Sequence, residues 1–274
     1  MNRKLIDTFL FVTLLVGIGG CGSSTPNPSQ TSTPPTTTTL TTPTGAALLV
    51  NILQSATTLK SFSYTGTFGN TSNYLGSTAT TTANVTGQED ITAQKVYGTY
   101  TFNQTGAPQE QFEIYDIGAL EYTRFAPTSA TPTGFTPGTW YKTALDATTQ
   151  GYIYSNNDSI LFKSAVITIN GTETVNNIVC WKVTAVPDNN QLALFLISQG
   201  EISAVTDLDQ PVSNVSLTAW VAQSSNLVVR EVLTLTILTQ GVTVNTSFDT
   251  STTNINLAVT ISLPADAANA IQTG

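Results

Sequence analysis

The sequence contains no histidine, only two cysteines and few charged residues, since Lys, Arg, Asp and Glu make up 9% of its 274 residues. Without histidine, the chain cannot form Ser-His-Asp or Cys-His nucleophilic sites, histidine-containing zinc sites or the usual general base at neutral pH. Two cysteines cannot form a disulfide framework. Thr, Ser, Asn and Gln supply the polar surface instead. This composition is typical of a secreted β protein, because Thr suits a half-exposed pleated face.

Basic charge is the scarcer of the two signs, with nine Lys and Arg against seventeen Asp and Glu and a net charge of -8. A chain without a basic run cannot neutralise phosphates, so nucleic acid is not expected as a partner. Docking to anionic lipid headgroups also uses clusters of Lys and Arg. Attachment to a membrane therefore needs something other than electrostatic attraction.

Residues 1–20 have the three parts of a secretory signal. Arg3 and Lys4 give a basic start, residues 9–18 form an apolar run, and small residues follow. The run is shorter than the roughly 20 apolar residues that a membrane-spanning helix needs. The segment ends in VGIGGC, which resembles the bacterial lipobox, where the cysteine thiol accepts diacylglycerol. We therefore expect a lipoprotein signal peptide and a lipid on Cys21, the alternative being an ordinary secretory signal with a chance cysteine.

Residues 21–45 consist mostly of Thr, Ser and Pro and carry no charge. Such a segment cannot bury enough apolar surface to offset its ordering entropy, which predicts an extended or disordered tether. Its reach is roughly 25 to 75 Å, depending on stiffness. We expect this tether to hold a domain of residues 46–274 outside the cytoplasm, at the outer face of the cytoplasmic membrane or elsewhere in the cell envelope.

Residues 46–274 are long enough for one large domain with an adequate core. Apolar residues at helical spacing predict a first helix that follows an N-cap at Thr44. A second helix is predicted at residues 191–199, after an Asx start, and a helical turn near residues 159–163. Cys180 is expected to be a small buried hydrophobe. The predicted strands are Ser61–Phe68, Lys95–Phe102, Gln111–Ile117, Ala119–Phe125, Trp140–Thr143, Ala165–Thr172, Ile178–Val186, Val215–Val221, Leu227–Leu238, Gly241–Phe248 and Ile255–Leu263.

Alternating apolar and polar residues in these strands predict one dry face and one wet face. In Ile255–Leu263 every odd position is apolar. A long antiparallel sheet with one apolar face must cover that face, either by curling or by packing helices on it. The fold class is therefore mainly β with a few helices (α+β). The residues alone leave open whether the cover encloses a cavity or a filled core.

Seven stretches, in this order, carry a likeness to a known family: Ala46–Phe68, Trp140–Lys142, Val175–Val183, Gln191–Gln199, Leu217–Val221, Asn226–Arg230 and Ile255–Pro264. Together they resemble the LolA-like family, especially lipoproteins of the LppX and LprG type. The resemblance implies a large curved antiparallel sheet that forms an incomplete β-barrel, with helices covering its concave face and a cavity for acyl chains between them. The residues then expected to contact a lipid are Val229, Leu233, Leu235, Ile237, Leu257, Val259 and Ile261.

Three classes of function follow. The first is binding of a lipid or other apolar ligand, which needs no cofactor, metal or catalytic residue. The second is a sensor or interaction module that binds a partner protein in the envelope. An enzyme is the third, and we do not expect it, because nearby carboxylates on an acidic secreted domain are usually solvated surface. The carboxylates considered for catalysis or Ca²⁺ binding are Glu110, Glu113, Asp188, Asp207, Asp209 and Glu231.

We predict that Cys21→Ser moves the protein from the membrane fraction to the soluble fraction, because the thiol that accepts the lipid is gone. Cell fractionation followed by immunoblotting measures this, with Ser24→Ala as a neighbouring control that stays in the membrane fraction. A Cys21→Ser protein that remained with the membranes would contradict the lipid anchor.

Overall fold

The structure is a computed structural model and describes residues 41–74, 76–145, 158–198, 212–239 and 242–273. Cys21, the predicted signal peptide and most of the predicted tether lie outside these residues, as do Asp207 and Asp209. The division of the chain into signal peptide, tether and domain therefore stays a prediction. Within the described ranges, no helix has the length and apolar composition needed to cross a membrane.

The α-helices of the described residues are α1 (Gly45–Ala56), α2 (Asp158–Phe162) and α3 (Asn189–Ser198). α1 begins at the predicted cap, where Thr44 Oγ1 accepts a hydrogen bond from the Ala47 N–H at 3.2 Å. At the start of α3, the Asp188 carboxylate accepts the Asn190 N–H at 2.9 Å. Each cap satisfies a backbone donor that has no partner inside the helix. Both predicted helices and the predicted helical turn are confirmed.

Twelve strands form one sheet in the described residues. Their bounds are β1 (Ser61–Tyr74), β2 (Ser77–Asp90), β3 (Lys95–Gln104), β4 (Glu110–Ile117), β5 (Leu120–Phe125), β6 (Trp140–Ala144), β7 (Val166–Val175), β8 (Ile178–Val186), β9 (Val212–Ala222), β10 (Val228–Thr239), β11 (Val242–Thr253) and β12 (Ile271–Gln272). Their order is β12-β6-β5-β4-β3-β2-β1-β11-β10-β9-β8-β7. Neighbours are antiparallel except β12 and β6. The sheet is open between β7 and β12, which confirms the predicted incomplete barrel.

β2 is absent from the predicted strands, although it pairs with β1 along its whole length. Its buried residues are Ala83, Val85 and Glu89. The buried positions of β2 thus carry small or acidic side chains, and the alternation of large apolar residues that predicts a strand is missing. β2 is held by its two neighbours rather than by a strong pattern of its own.

The predicted strand Ile255–Leu263 is wrong. β11 ends at Thr253, and Asn254 and Asn256 both have a φ of 54°, in the left-handed region and not in the extended region of a regular strand. Asn256 Oδ1 also accepts the Lys60 N–H at 2.7 Å, which holds the chain across the start of β1. The sequence alternation in this segment therefore does not correspond to two faces of a sheet.

After this irregular segment, the chain reaches the convex face. A 3-10 helix (Ala265–Asn269) follows, and its Ala267 packs on Trp140. Arg124 Nη1 donates to Asp266 Oδ2 at 2.8 Å. β12 then pairs with β6, so the last described residues cover one edge of the sheet and part of its convex face.

The helices cover the concave face. α1 packs against β7, and α2 contacts both α1 and α3. The buried helical residues share one apolar cluster with buried side chains of the sheet; among them are Leu48, Ile52, Leu161, Phe162 and Leu196. The concave face with its helices is therefore the main core.

Two glycines make room for the ring of Tyr64 on the concave face. Gly87 pairs with Tyr64 on one side and with Gly98 on the other. A Cβ at Gly87 would lie 2.4 Å from Tyr64 Cζ and 2.2 Å from the Tyr97 carbonyl oxygen. The Tyr64 hydroxyl donates to that same carbonyl at 3.4 Å. The Tyr64 ring thus lies directly over the backbone of Gly87, where a side chain on residue 87 would collide with it.

We predict that Gly87→Ala lowers the free energy of unfolding by about 1–3 kcal/mol, because the added methyl group overlaps Tyr64 and the β3 backbone. The matched control is Thr86→Ala, whose side chain lies on the convex face and shares an exposed hydrogen bond with Thr99. That change costs less than about 1 kcal/mol. Urea unfolding measures both, and equal effects would contradict the close approach of Tyr64.

Candidate functional site

Pairing across the sheet sorts the concave side chains into rows. The upper row is apolar in eight neighbouring strands, from β7 to β3: Ile167, Ala185, Leu217, Leu233, Phe248, Phe68, Ala83 and Phe102. All of them are buried except Phe68, which is half-buried. They belong to the main cluster or pack against it. The upper row is thus a continuous apolar surface beneath the helices.

Aromatic rings extend this surface across β3, β4 and β5. The ring of Phe112 stacks on Tyr100, with centroids 5.0 Å apart, and on Phe102, with centroids 5.7 Å apart. Phe112 also contacts Phe125, whose ring in turn contacts Phe135. We call these five residues the aromatic ladder. Its stacked and tilted contacts are the geometries that aromatic pairs favour.

The concave face is less buried near the starts of β9 and β11 and the end of β10. Ile237 pairs with Val212 on one side and with Val244 on the other. Val212 and Val244, like Phe68, are half-buried against the main cluster. We call these four residues the rim. An apolar rim beside a buried apolar surface is the kind of boundary that apolar ligands use.

Three of the predicted ligand-binding residues lie together on the concave face. Leu233, Leu235 and Ile237 follow one another on β10 and are buried in the main cluster. The alternation in β10 therefore places this part of the strand as predicted. Whether these side chains contact a ligand stays a proposal.

Val229 is buried on the other side of β10, in a small cluster with Cys180 and Trp220. The pairing of β10 with β9 shifts register between Val228 and Arg230. A β-bulge of this kind interrupts the alternation of side chains. Val228, rather than Val229, accordingly joins the concave cluster, and the burial predicted for Cys180 is confirmed.

The other three predicted residues follow the segment that is not a strand. Leu257 is 44% exposed, Val259 is half-buried and Ile261 is buried. The Ile261 carbonyl accepts a hydrogen bond from Lys95 Nζ at 3.3 Å. None of the three belongs to the main cluster of the described residues, so the structure does not bring them together with the β10 residues.

The buried charged residues of the described chain are all acidic: Glu89, Asp116, Glu121 and Glu231. Only Glu231 is among the carboxylates considered from the sequence. The sequence also contains a signal that Asp116 is buried, because Asp116 lies two residues after the buried Ile114 and so on the same face of β4. An acidic residue at an apolar position of an alternating strand points to the dry face.

The remaining carboxylates considered from the sequence have other roles or positions. Glu113 accepts hydrogen bonds from Arg124 on the convex face. Asp188 caps α3. Burial raises the pKa of Glu110, which lies at the start of β4 opposite Phe102. These residues are not brought together as an acid and base pair.

Glu231 lies in the middle of the concave face, between Ala219 and Thr250 on the neighbouring strands. Neither of its carboxylate oxygens has a hydrogen-bond partner in the described part of the chain. Burial disfavours the charged form and raises the pKa of Glu231 to about 7. Glu231 is thus a polar group in an apolar surface, with a large share of protonated carboxyl near neutral pH.

Three more acids share a row at the opposite end of the concave face from the rim. This acidic row runs from β1 to β6 through Phe62, Glu89, Val96, Asp116, Glu121 and Thr143. Asp116 and Glu121 are direct cross-strand neighbours. Burial raises the pKa of both groups, and the charge of Asp116 raises the pKa of Glu121 further. The pair therefore holds on to a proton more tightly than two solvated carboxyls would.

The convex face has a different chemistry, with hydroxyl and amide groups beside ion pairs. A shallow groove of about 330 Å³ is lined mostly by Thr, Ser and Asn and contains the ion pair of Arg230 with Asp249. The guanidinium of Arg230 also lies 4.7 Å from the centre of the Trp220 ring. In this groove Arg230 and Asp249 thus neutralise each other.

Comparison with solved structures finds distant likenesses. LppX from Mycobacterium tuberculosis is 14% identical, over 79% of this chain and 99% of that chain, with a TM-score of 0.43. LprF from Mycobacterium bovis is 14% identical, over 81% of this chain and 97% of that chain, with a TM-score of 0.46. The LppX type of lipoprotein, which the sequence resembles, is thus among the structures to which this chain has a distant likeness.

A third match, described as an outer membrane lipoprotein-sorting protein domain from Vibrio parahaemolyticus, is 9% identical, over 81% of this chain and 96% of that chain, with a TM-score of 0.26. No protein-family model and no curated protein matches the sequence. Likenesses at these identities and TM-scores say nothing of the function of this chain.

We predict that Glu231→Gln removes part of the pH dependence of stability. Because the folded-state pKa of about 7 lies above the ordinary value of 4.5, the stability that Glu231 contributes at low pH is lost as pH rises toward 7. The loss is on the order of 3 kcal/mol. Urea unfolding at several pH values measures it: variant and wild type are equal near pH 4.5, and the variant is more stable above pH 7. Parallel curves for the two proteins would contradict this.

Proposed function

We propose that this protein is a lipid-anchored envelope lipoprotein that holds a lipid or other apolar molecule between the concave face of its sheet and the helices, for transport or retention in the envelope. The observation that carries the proposal is the continuous apolar surface of the upper row and the aromatic ladder, which ends at a half-buried rim. Cys21 would keep this surface close to a source of lipid.

The chemistry of such binding is burial of acyl chains. Each methylene transferred from water to an apolar surface contributes about 0.8 kcal/mol. A chain of a dozen methylenes therefore needs no ion pair or catalytic residue to bind, provided that the protein side offers enough apolar contact. The upper row and the aromatic ladder offer such contact from strands in both halves of the sheet.

Native mass spectrometry tests the proposal, using the full chain with Cys21→Ser released from its host cells. We expect co-purified lipid, and uptake of a fluorescent fatty acid by delipidated protein. Repeated recovery without lipid, together with no uptake, would contradict the proposal. A single envelope protein recovered by crosslinking in that case would favour the interaction module instead.

We further predict that Val244→Trp weakens uptake of the fluorescent fatty acid at least about fivefold, because a large ring at the rim obstructs the apolar surface. Asn245→Trp is the matched control, since Asn245 is exposed and on the opposite face of the same strand. Fluorescence titration measures both variants after circular dichroism has shown that they are folded. Equal affinities would exclude the rim as the entrance.

A further inference from the structure

We propose that the ligand of the concave face carries a cationic group, such as a primary ammonium, and that Asp116 and Glu121 of the acidic row bind it. This inference rests on the function proposed above and adds the chemical class of the ligand. The cation would lie at the acidic row, and the apolar part of the ligand would extend along the aromatic ladder toward the rim.

The first argument is the geometry of the acidic row. Asp116 and Glu121 stand directly opposite each other on β4 and β5, where side chains of a cross-strand pair are about 4.5–5.5 Å apart at Cβ. Both are buried, with 1% and 3% of their surface exposed, and Glu89 of the same row is 8% exposed. Like charges in such a pair repel, and a cation between them removes the repulsion.

The second argument is that Asp116 lacks a partner. Neither Oδ1 nor Oδ2 has a hydrogen bond within the described residues, whereas Glu121 Oε1 accepts one from the Thr123 hydroxyl at 3.0 Å. A buried polar group left without a partner costs about 1–3 kcal/mol. An ammonium group supplies three donors, which suits the free oxygens of this pair.

The third argument is the separation of charge between the two faces. The four ion pairs found in the described residues are Arg124 with Glu113, Arg124 with Asp266, Lys182 with Glu173 and Arg230 with Asp249. None involves a buried acid. Every Lys and Arg in the described ranges is half-buried or exposed. None of these four ion pairs supplies a counterion to Asp116 or Glu121, and a cationic ligand would supply one.

The shape of the surface favours an amphiphile over a free ion. From Phe62 in the acidic row to Phe68 in the upper row is six residues of β1, or about 20 Å at 3.3–3.4 Å per residue. Gly87 and Gly98 lie between the acidic row and the ladder, and the rings of Tyr64 and Tyr100 pack over them. No group of three or more metal-ligating side chains in the described residues could hold a metal ion.

Proton release accompanies the binding of a cation to this pair. The titratable groups around Asp116 are Tyr64 of β1, Glu89 of β2 and Glu121 of β5, while β3 contributes Val96. Since burial holds the pKa of Asp116 near 7, a cation that favours the ionised form displaces a proton. Affinity for a cationic ligand therefore rises with pH across this range.

The test compares decylamine with decanol, which have the same chain and differ in the head group, by titration calorimetry on the full Cys21→Ser chain. We expect decylamine to bind at least about tenfold more tightly than decanol at pH 8 and to lose this preference at pH 5. In Asp116→Asn and in Glu121→Gln the preference is lost while decanol still binds. Glu113→Gln, on the convex side of the same strand as Asp116, is the matched control and keeps the preference.

The outcomes separate this inference from the proposed function. Equal binding of amine and alcohol, unchanged in the two acidic-row variants, would overturn the cationic class and leave apolar binding intact. Binding of neither ligand, with no uptake of the fluorescent fatty acid, would remove the proposed function itself. Tight binding of methylammonium, which has no long alkyl chain, would assign the site to a small free cation and contradict the inference that the ligand is an amphiphile. Two variants are used so that a folding defect in one leaves the other informative.

Discussion

Apolar contact between the concave face of the sheet and the helices is the interaction on which the other features depend. The sheet is open between β7 and β12 in the described residues, so it cannot bury one face by closing on itself. Without the helices, water would contact the apolar side chains that eight neighbouring strands contribute to the upper row. Leu48 and Ile52 of α1, with Leu161 of α2, are fully buried on this face, each contributing about 1.5–3 kcal/mol.

The same burial raises the pKa of the carboxyl groups on the concave face. Desolvation raises the pKa of a carboxyl because an ion loses its hydration without a compensating partner. Glu231 and Asp116 both stand in this environment, on different halves of the sheet. An apolar surface that contains protonatable groups discriminates between ligands by charge, which a purely aliphatic surface cannot do.

Much of the fold follows from local patterns. Thr44 and Asp188 are cap residues followed by apolar helical spacing, and the short-range signals for α1 and α3 agree with the tertiary structure. Most strands are also predicted, because large apolar side chains alternate in them. β2 escapes this reasoning because hydrogen bonds to its sequence neighbours β1 and β3 hold it on both sides, and such pairing does not require an alternation of large apolar residues in the strand itself.

The candidate site is predicted less completely, for two physical reasons. Leu233 and Leu235 are found where alternation places them, but Val229 lies within a β-bulge, which depends on pairing with β9. Asn254 and Asn256 adopt left-handed backbone conformations that asparagine tolerates better than most residues, and with them β11 ends before the alternating segment Ile255–Leu263. Apolar periodicity alone cannot show such interruptions.

The position of α1 also determines from which half of the sheet the preceding chain leaves the domain. A Cβ at Gly45 would lie 2.0 Å from the Ile167 carbonyl oxygen, so the first turn of α1 is pressed against β7. Ile167 is the β7 member of the upper row, which adjoins the rim. The chain that precedes Gly45 therefore leaves the domain from the half of the sheet that contains the rim. If Cys21 carries the proposed lipid, its attachment is on the same half of the sheet as the rim, through which the proposed ligand would enter.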